Sequence, residues 1–291
     1  MDSLAIFGVG LIGGSFALAL RAAGFQGEIA GVSSPATIKA ALERGVIDRE
    51  VTVEEAREFD LIFLAQPIRG ILAALPQLAG SRAWVTDAGS TKRTICRAAS
   101  VLERFTGGHP MAGKAARGLE HADAGLFAGR PWILTSTPPP ALAALLESTG
   151  ARITITTPEE HDRAVALTSH LPQLLSSALA AQAAAHPALL FAAGPGWESM
   201  TRLAASDWAL WRDILETNAD YLLAAWQELR DRLDPALAAL HENTDPLGEL
   251  FAAGQLGPSA EHPWGARTAP PVPEPRKEFA PRGGPRDRGN P

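Results

Sequence analysis

The segment that decides the fold is LAIFGVGLIGGS, at residues 4–15. It is a short apolar run followed by the pattern Gly-x-Gly-x-x-Gly, and an Ala- and Leu-rich stretch of helical character comes next. Gly8 permits a tight turn, Gly10 lets the backbone approach a pyrophosphate, and Gly13 lets a helix pack closely on the strand. A second apolar strand is predicted at residues 28–32, at the expected distance. This order of elements predicts a dinucleotide site and disfavours a structural glycine turn without a ligand.

The composition and charge of the chain exclude several functional classes. The 291 residues are 46% hydrophobic and 20% charged, which is typical of a globular protein with one large or two moderate domains. The net charge of −6 argues against general affinity for nucleic acid or an anionic membrane. Residues 4–20 are almost continuously apolar, but the chain starts without basic residues, so we predict neither an export signal nor a membrane span. The single cysteine, Cys96, fits the reducing cytoplasm, and no metal site is predicted.

Strands and helices alternate in the prediction from the N-terminus to residue 157. This rhythm predicts βαβ units, and therefore an α/β fold with a Rossmann-type, doubly wound and mostly parallel sheet in a domain of residues 1–157. Ligands of such sheets bind at the carboxyl ends of the strands. Ser33-Ser34, Gln66-Pro67 and residues 87–90 each follow a predicted strand, as the glycine turn does. The predicted strands are residues 4–7, 28–32, 61–64, 84–86, 132–135 and 152–155.

Residues 158–253 are predicted to form an all-helical domain, because strand signals disappear and Ala- and Leu-rich stretches take over. Within this region, one stripe with a period of about 3.6 residues collects apolar and aromatic side chains. Two interpretations of the stripe stay open, namely core packing and a surface for self-association. The stripe consists of Trp211, Leu215, Leu222, Trp226 and Leu229.

The last segment, residues 254–291, differs from both predicted domains. Pro, Gly and Arg are frequent in it, as in APPVPEP at residues 269–275 and PRGGPR at residues 281–286. Such a segment cannot bury enough apolar area to offset the entropy of ordering, so we predict a disordered tail. A short polyproline-type ligand for a partner is the alternative.

A second cluster of chemical interest is TGGHPMAG at residues 106–113, preceded by DAGSTK at residues 87–92. The glycines and the proline around His109 predict a loop histidine. An imidazole with an ordinary pKa of about 6.5 suits proton transfer near neutrality. Because the segment belongs to a predicted nucleotide-binding domain and lies near the Ser90 loop, we interpret His109 as catalytic rather than as a surface or capping residue.

Three further polar groups lie in the predicted helical domain. His161 and Asp162 open a helix and are interpreted mainly as structural first-turn residues, because acidic groups there suit the helix dipole. His170 stays open between structural hydrogen bonding and ligand contact. Arg202 is either a solvated cation or a guanidinium with the bidentate geometry that a carboxylate substrate needs.

The motifs that occur together in this chain are GxGLIGGS at 8–15, DxGSxK at 87–92, GHPMAG at 108–113, HD at 161–162, SHLP at 169–172 and TR at 201–202. In this order and spacing they resemble the prephenate/arogenate dehydrogenases of tyrosine biosynthesis. The resemblance covers about residues 4–250, and several independent motifs make it specific. It implies NAD(P)-dependent oxidative decarboxylation of a cyclohexadienol, in which hydride leaves C4 of the ring while the C1 carboxylate departs as CO₂.

The same resemblance implies a role for each matching side chain. His109 matches the histidine that accepts the proton of the C4 hydroxyl, and Ser90 matches the serine that orients this hydroxyl and the imidazole. Arg202 matches the arginine that binds a substrate carboxylate, while His170 and Gln173 are placed at the substrate. The helical region resembles the family's dimerisation domain, which implies a homodimer.

Two departures from the family pattern leave the choice between prephenate and arogenate open. Gln173 stands where many relatives have a second histidine, and it hydrogen-bonds without offering a positive charge. Ala115 stands where many relatives have an acidic residue. Both positions resemble some arogenate-using members of the family.

The end of the second strand bears on the choice of cofactor. NAD-selective sites usually place Asp or Glu there to hold the ribose 2′-hydroxyl, and this carboxylate repels a 2′-phosphate. Here the strand ends in Gly31-Val32-Ser33-Ser34, without an acid, so NADP is favoured over NAD. The predicted cofactor-binding residues are Gly8, Gly10, Leu11, Ile12, Gly13, Ser33, Ser34, Thr37, Gln66 and Pro67.

Two alternatives for the function are weighed against this interpretation. One is another dehydrogenase with a helical appendage, of the β-hydroxyacid or imine reductase type. Such enzymes typically use a lysine base in the helical domain, and residues 158–253 contain no lysine. The other is a catalytically inactive, cofactor-sensing protein, which the joint presence of His109, Ser90 and Arg202 disfavours.

Overall fold

The computed structural model describes residues 1–114 and 116–255. Its N-terminal part is built on a six-stranded parallel sheet, in which the chain changes direction across the sheet at the central strand. The strands are β1 (Ser3–Phe7), β2 (Glu28–Val32), β3 (Arg49–Glu50), β4 (Leu61–Leu64), β5 (Trp84–Asp87) and β6 (Phe105–Thr106). Their order is β3-β2-β1-β4-β5-β6, so the crevice between the ends of β1 and β4 is where a ligand of this fold binds. The predicted doubly wound α/β fold is confirmed.

Helices pack on both faces of this sheet. Ser34 caps one of them by accepting a hydrogen bond from Thr37 N, and Pro35 starts its first turn. Thr52 and Glu55 form a reciprocal capping box at the start of another, very short helix. The helices of this part are α1 (Leu11–Ala22), α2 (Pro35–Glu43), α3 (Val53–Ala56), α4 (Ile68–Ala74), α5 (Arg93–Ala98) and α6 (Pro140–Ser148).

Alternating side chains of each strand feed two separate hydrophobic cores. In β1, Leu4 and Ile6 belong to the core under α1, whereas Ala5 and Phe7 belong to the core on the opposite face. Such continuous apolar runs are expected when a parallel strand is covered on both faces. Residues 4–20, for which we predicted neither an export signal nor a membrane span, therefore form most of β1 and most of α1.

A second, three-stranded sheet follows the first, and it corrects two expectations. Its strands are β7 (Gly108–Pro110), β8 (Pro131–Leu134) and β9 (Arg152–Ile155), with β7 antiparallel and β9 parallel to β8. The last two predicted strands thus exist but do not join the main sheet. His109 lies in β7 and not in a loop, because Gly108 and Pro110 pair with Leu134 and Trp132 of β8. The short strands β3, β6 and β7 were missing from the prediction.

Beyond β9, every regular element of the described residues is helical. The helices are α7 (Pro158–Val165), α8 (Leu171–Ala184), α9 (Pro195–Thr201), α10 (Trp208–Thr217), α11 (Ala219–Ala238) and α12 (Asp245–Gln255). The last helix ends two residues beyond the predicted limit at residue 253. Residues 256–291, which hold most of the predicted tail, and Ala115 lie outside the described residues. Within the described residues, none of the helices is both long and apolar enough to cross a bilayer.

Local sequence explains how α7 and α8 are joined. Thr157 and Glu160 form a capping box at the start of α7, and Pro158 occupies its first position. Residues 166–170 form a turn of π-helix between α7 and α8. Pro172 has no N–H to continue the regular hydrogen-bond ladder, which accounts for the irregular turn just before it.

The predicted apolar stripe is divided between two helices, because α10 ends and α11 begins at Asn218. Leu222 is buried in a small helical core, and Leu215 and Leu229 pack against it. Trp211 instead packs against the core on the face of the N-terminal sheet opposite α1, the core that contains Ala5 and Phe7. Trp226 is 37% exposed. The stripe therefore serves partly as core and leaves part of its surface uncovered.

Candidate active site

A cleft of about 440 Å³ opens at the carboxyl ends of β1, β2 and β4. It brings together seven of the residues predicted to bind a cofactor, and it adds Gly118 and Leu119 from the segment after β7. Leu11, Ile12 and Gly13 do not line its wall, since they lie in the first turn of α1. The predicted residues on the wall are Gly8, Gly10, Ser33, Ser34, Thr37, Gln66 and Pro67.

Backbone geometry makes this cleft suitable for a dinucleotide. Gly8 has φ +87°, and a Cβ there would lie 2.9 Å from the carbonyl oxygen of Ala65. At Gly10, by contrast, a Cβ would meet no protein atom within 4 Å, so this position faces open space. Gly10 also caps α1 without a side-chain hydrogen bond, which leaves the N–H groups of the first turn available to an anion. These features fit a bound pyrophosphate.

The ribose end of the cleft carries hydroxyl groups and no acid. Ser34 Oγ and Thr37 Oγ1 lie 2.9 Å apart and hydrogen-bond to each other. None of the residues that line the cleft is titratable. A 2′-phosphate would therefore meet no repelling carboxylate on this wall.

His109 lies at the centre of a second region, which is built from side chains and not from backbone. Its Nδ1 lies 2.8 Å from Nε2 of His161, and the Nδ1 of His161 lies 2.8 Å from Oδ1 of Asp162. His161 and Asp162 are buried, at 1% and 0% exposure. The interpretation of these two residues as first-turn structural groups was therefore incomplete, because they connect α7 directly to His109.

A buried ion pair supports the backbone next to His109. The Lys92 ammonium contacts the Asp87 carboxylate, and both side chains are fully buried. Lys92 Nζ also donates to the carbonyl oxygen of Gly108 at 2.6 Å, while Asp87 Oδ1 accepts the Gly108 N–H at 3.0 Å. Both polar groups of the Gly108 backbone are thereby fixed. Asp87 Oδ2 also accepts the Gly89 N–H at 2.8 Å, so one carboxylate holds the loop that leads to Ser90 and the strand that carries His109.

Asp162 connects the N-terminal and helical parts. Its carboxylate accepts the backbone N–H groups of Lys92 and Arg93, at 2.6 and 3.0 Å. The Arg93 side chain also reaches from the N-terminal part to the helical part. Its guanidinium lies 2.7 Å from a carboxylate oxygen of Asp220 and stacks on the ring of Tyr221. The fully buried Asn218 donates to the carbonyl oxygen of Asp162 at 2.7 Å. The position of His161 is thus set by both parts of the molecule.

Burial dominates the acid–base properties of this region. It lowers the pKa of His109 well below the ordinary value, and the nearby His161, Lys92 and His170 lower it further by charge repulsion. Burial also lowers the pKa of His161, although its hydrogen bond to Asp162 opposes the change. The pKa of His170 falls to about 4 for the same main reason. All three imidazoles are therefore neutral near pH 7.

His170 and Gln173 are buried near this cluster, but each has one polar atom already engaged. His170 Nδ1 accepts a hydrogen bond from Asn218 Nδ2 at 3.2 Å, and its ring meets the edge of Trp211. Gln173 Nε2 donates to the carbonyl oxygen of Leu203 at 2.8 Å. Gln173 Oε1 has no partner among the described residues.

The structure places Ser90 and Arg202 less decisively. Ser90 is half-buried, just beyond the residues that Asp87 holds. Arg202 is exposed at the start of a short 3₁₀ turn, Arg202–Ala205, and no hydrogen bond joins it to the histidine cluster within the described residues. Its neighbour Leu203 is anchored to Gln173. Arg202 is thus held close to α8 through its backbone and not through its guanidinium.

Comparisons with known proteins identify the family. The family description "Prephenate dehydrogenase, nucleotide-binding domain" matches residues 16–155, and "Prephenate dehydrogenase, dimerization domain" matches residues 157–253. The prephenate dehydrogenase of Lactococcus lactis is 34% identical over 270 residues, which cover 88% of this chain and 76% of the relative. The chain belongs to the prephenate/arogenate dehydrogenase family. This membership decides against a β-hydroxyacid or imine reductase.

Solved structures of prephenate/arogenate dehydrogenases agree with the fold. Prephenate dehydrogenase from Aquifex aeolicus, in complex with hydroxyphenyl propionate and NAD⁺, superposes with a TM-score of 0.80 at 29% identity, covering 88% of this chain and 97% of that one. Synechocystis arogenate dehydrogenase gives a TM-score of 0.74 at 33% identity, covering 87% and 96%. Relatives with either substrate in their names thus lie at similar distances from this chain.

Sequence reasoning missed the residues that hold His109 in this member of the family. Asp87 and Lys92 were recognised only as parts of a motif, and Asn218 was not singled out at all. One signal was available, since an adjacent His-Asp pair behind a Thr-Pro-x-Glu capping box places both side chains at a defined helix start. What the sequence did not contain was the distance from that helix start to His109.

Proposed function

We propose that this protein catalyses the oxidative decarboxylation of a cyclohexadienol, prephenate or arogenate, with His109 as the base. The observation that carries the proposal is the half-buried, neutral His109 imidazole, whose Nδ1 lies 2.8 Å from His161 Nε2. A neutral imidazole accepts a proton, and a positioned base of this kind contributes about 10²–10⁴ in rate.

Each proposed residue acts on a defined part of the substrate. His109 takes the proton of the ring hydroxyl as the carbon that bears it becomes carbonyl-like. The Ser90 hydroxyl orients this group, and Arg202 binds a carboxylate through its guanidinium. When bound, the nicotinamide cofactor accepts the hydride from the ring. Loss of CO₂ then needs no further base, because aromatisation drives it.

The cofactor is proposed to lie in the cleft of about 440 Å³, with NADP preferred to NAD. Gly8, Gly10 and the first turn of α1 would hold the pyrophosphate, with Leu11 and Ile12 supplying N–H groups and Gly13 the close packing beneath. Ser33, Ser34 and Thr37 would meet the 2′-phosphate. Gln66 and Pro67 would line the nicotinamide side.

Gln173 favours arogenate over prephenate in this proposal. Its Nε2 donates to the carbonyl oxygen of Leu203 at 2.8 Å and to Ser177 Oγ at 3.1 Å, which uses both amide hydrogens, so only Oε1, an acceptor, is available to a ligand. Arogenate carries an amino group where prephenate carries a keto group, and only the amino group donates to an acceptor. A substrate carboxylate at Gln173 is less favourable, because the Nε2 donor that a carboxylate needs is occupied.

Self-association through the helical part is proposed as well. Leu189, Phe191 and Trp208 are 65%, 89% and 64% exposed, although large apolar side chains are usually covered. The match of residues 157–253 to a dimerization domain supports a homodimer that covers them.

One experiment tests the activity, the cofactor and the substrate together. Purified protein is assayed at 340 nm with prephenate and arogenate, each with NAD and NADP, for the wild type and for His109→Asn, Ser33→Asp and Gln173→His. We expect arogenate with NADP to give the highest kcat/KM. His109→Asn should lower kcat by about 10³ while leaving cofactor affinity unchanged.

The other two variants resolve the finer claims. Ser33→Asp should move the preference towards NAD, because the new carboxylate repels a 2′-phosphate. Gln173→His should raise kcat/KM for prephenate relative to arogenate. A wild type that binds cofactor without turning over either substrate would support the sensor alternative, and a clear NAD preference before mutation would contradict the argument from the end of β2.

A further inference from the structure

We propose that His161, with Asp162 behind it, is a positioning residue that fixes the tautomer of His109 and leaves its Nε2 free of hydrogen. This inference deepens the proposed function and rests on it, since His109 can act as a base only through an unprotonated nitrogen. Nothing in the local sequence around His109 determines which of the two ring nitrogens carries the proton.

The Asp162 carboxylate, behind His161, accepts several hydrogen bonds. Its oxygens receive the backbone N–H groups of Lys92 and Arg93, at 2.6 and 3.0 Å, and the Arg93 guanidinium at 3.3 Å. Burial by itself would raise the pKa of Asp162, but the hydrogen bond to His161 and those from the backbone N–H groups of Arg93 and Lys92 outweigh it, so the pKa is lowered and the carboxylate is ionised. An ionised carboxylate is an acceptor only. The contact of 2.8 Å between Asp162 Oδ1 and His161 Nδ1 therefore requires the hydrogen to be on Nδ1 of His161.

The next step fixes the second imidazole. A neutral His161 with hydrogen on Nδ1 has a bare Nε2, which accepts hydrogen bonds. This Nε2 lies 2.8 Å from Nδ1 of His109, so His109 must donate from Nδ1. The neutral His109 then has a lone pair on Nε2. The same principle applies wherever a carboxylate behind a histidine selects its tautomer.

The charged and titratable groups around the pair agree with this assignment. The positive charge of Lys92 disfavours a positive charge on either imidazole, and His170 adds to this at His109. Asp162 and Asp87 act in the opposite direction at His161. When His109 accepts a proton on Nε2, the resulting imidazolium donates from Nδ1 to His161. The new positive charge on His109 is thereby linked through His161 to the Asp162 carboxylate, and neither ring has to move.

Two substitutions at His161 separate this role from simple packing. In His161→Gln, the side-chain oxygen can accept from His109 Nδ1 while the amide nitrogen donates to Asp162, so the pattern of donors and acceptors is retained. In His161→Leu, the volume is similar but both polar contacts are lost. We expect kcat to fall about 100-fold for His161→Leu and less than about tenfold for His161→Gln. His121→Gln, at a 48%-exposed histidine outside this cluster, serves as the matched control.

A spectroscopic measurement tests the tautomer independently of turnover. Protein labelled with ¹⁵N-histidine gives long-range ¹H–¹⁵N correlations that distinguish protonated from bare ring nitrogens, and the signals of His109 are assigned by their loss in His109→Asn. We expect a bare Nε2 in the wild type and in His161→Gln, and a mixture of both tautomers in His161→Leu.

Three results would overturn the inference: a protonated Nε2 on His109 of the wild type, full activity of His161→Leu, or equal losses in His161→Leu and His161→Gln with the tautomer unchanged. If the wild type turns over neither substrate, the proposed function fails, whereas the spectra still decide whether His161 sets the tautomer.

Discussion

The nucleotide cleft and the histidine cluster are built in opposite ways. The cleft is formed by backbone, in which a glycine with positive φ, an uncapped helix start and the ends of parallel strands create the space. The cluster is formed by side chains from β5, β7, α7 and the residue between α10 and α11, and most of them are fully buried. A site made of backbone is encoded locally. A site made of side chains depends on how distant segments pack.

This difference also separates what holds each region in place. In the cleft, a substitution acts by filling space or by forcing a backbone angle. In the cluster, removal of one partner leaves a buried charge or polar group without its hydrogen bond, which costs more than the bond itself contributes.

The largest effect is expected at the buried ion pair. Lys92→Met should lower the free energy of unfolding by about 3–5 kcal/mol, because it leaves the Asp87 carboxylate buried and unpaired. Urea unfolding followed by circular dichroism measures this loss. Arg49→Gln is the matched control, since its partner Glu28 is on the surface, and it should leave the midpoint unchanged. Equal effects of the two substitutions would remove the distinction between a buried cluster and an ordinary surface pair.

A smaller effect is expected in the cleft. Gly8→Ala should weaken cofactor binding by at least about tenfold, because the added Cβ would lie 2.9 Å from Ala65 O and φ is +87°. Titration calorimetry with NADP measures this change. Gly24 has a similar φ of +90° but no atom within 4 Å of an added Cβ, so Gly24→Ala isolates the cost of the backbone angle. If Gly24→Ala weakened binding as much, the clash at Gly8 would not be the cause.

The smallest effect is a dependence of stability on pH that originates in the cluster. His109, His161 and His170 have lowered pKa values in the folded protein, with His170 at about 4. Between those values and the unfolded value of about 6.5, the unfolded chain binds more protons, so stability is complete above pH 6.5 and falls as the pH is lowered. Melting temperatures from pH 7 to pH 5 should decrease, and His170→Gln should reduce the slope. An unchanged slope in this variant would show that His170 does not contribute.

The sequence predicted the backbone-built features well and the side-chain network poorly. The Gly8 turn, the strand ends and the hydroxyls at Ser33 and Ser34 all follow from periodicity and local motifs. The catalytic role of His109 stays a prediction, and its strand was missed because β7 has only three residues and depends on pairing with β8. His161 was undervalued because nothing within α7 indicates a contact 52 positions away.

The helical part does not simply sit beside the sheet. Ile214 of α10 is buried within the core on the face of the N-terminal sheet opposite α1, and Trp211 packs against the same core. Side chains from both sides of the proposed division at residue 157 therefore share one hydrophobic core. If the helical part were exchanged for that of a relative, by recombination or by design, Trp211 and Ile214 would be replaced by residues that do not match this core. The residues on both sides of the contact would have to be transferred together.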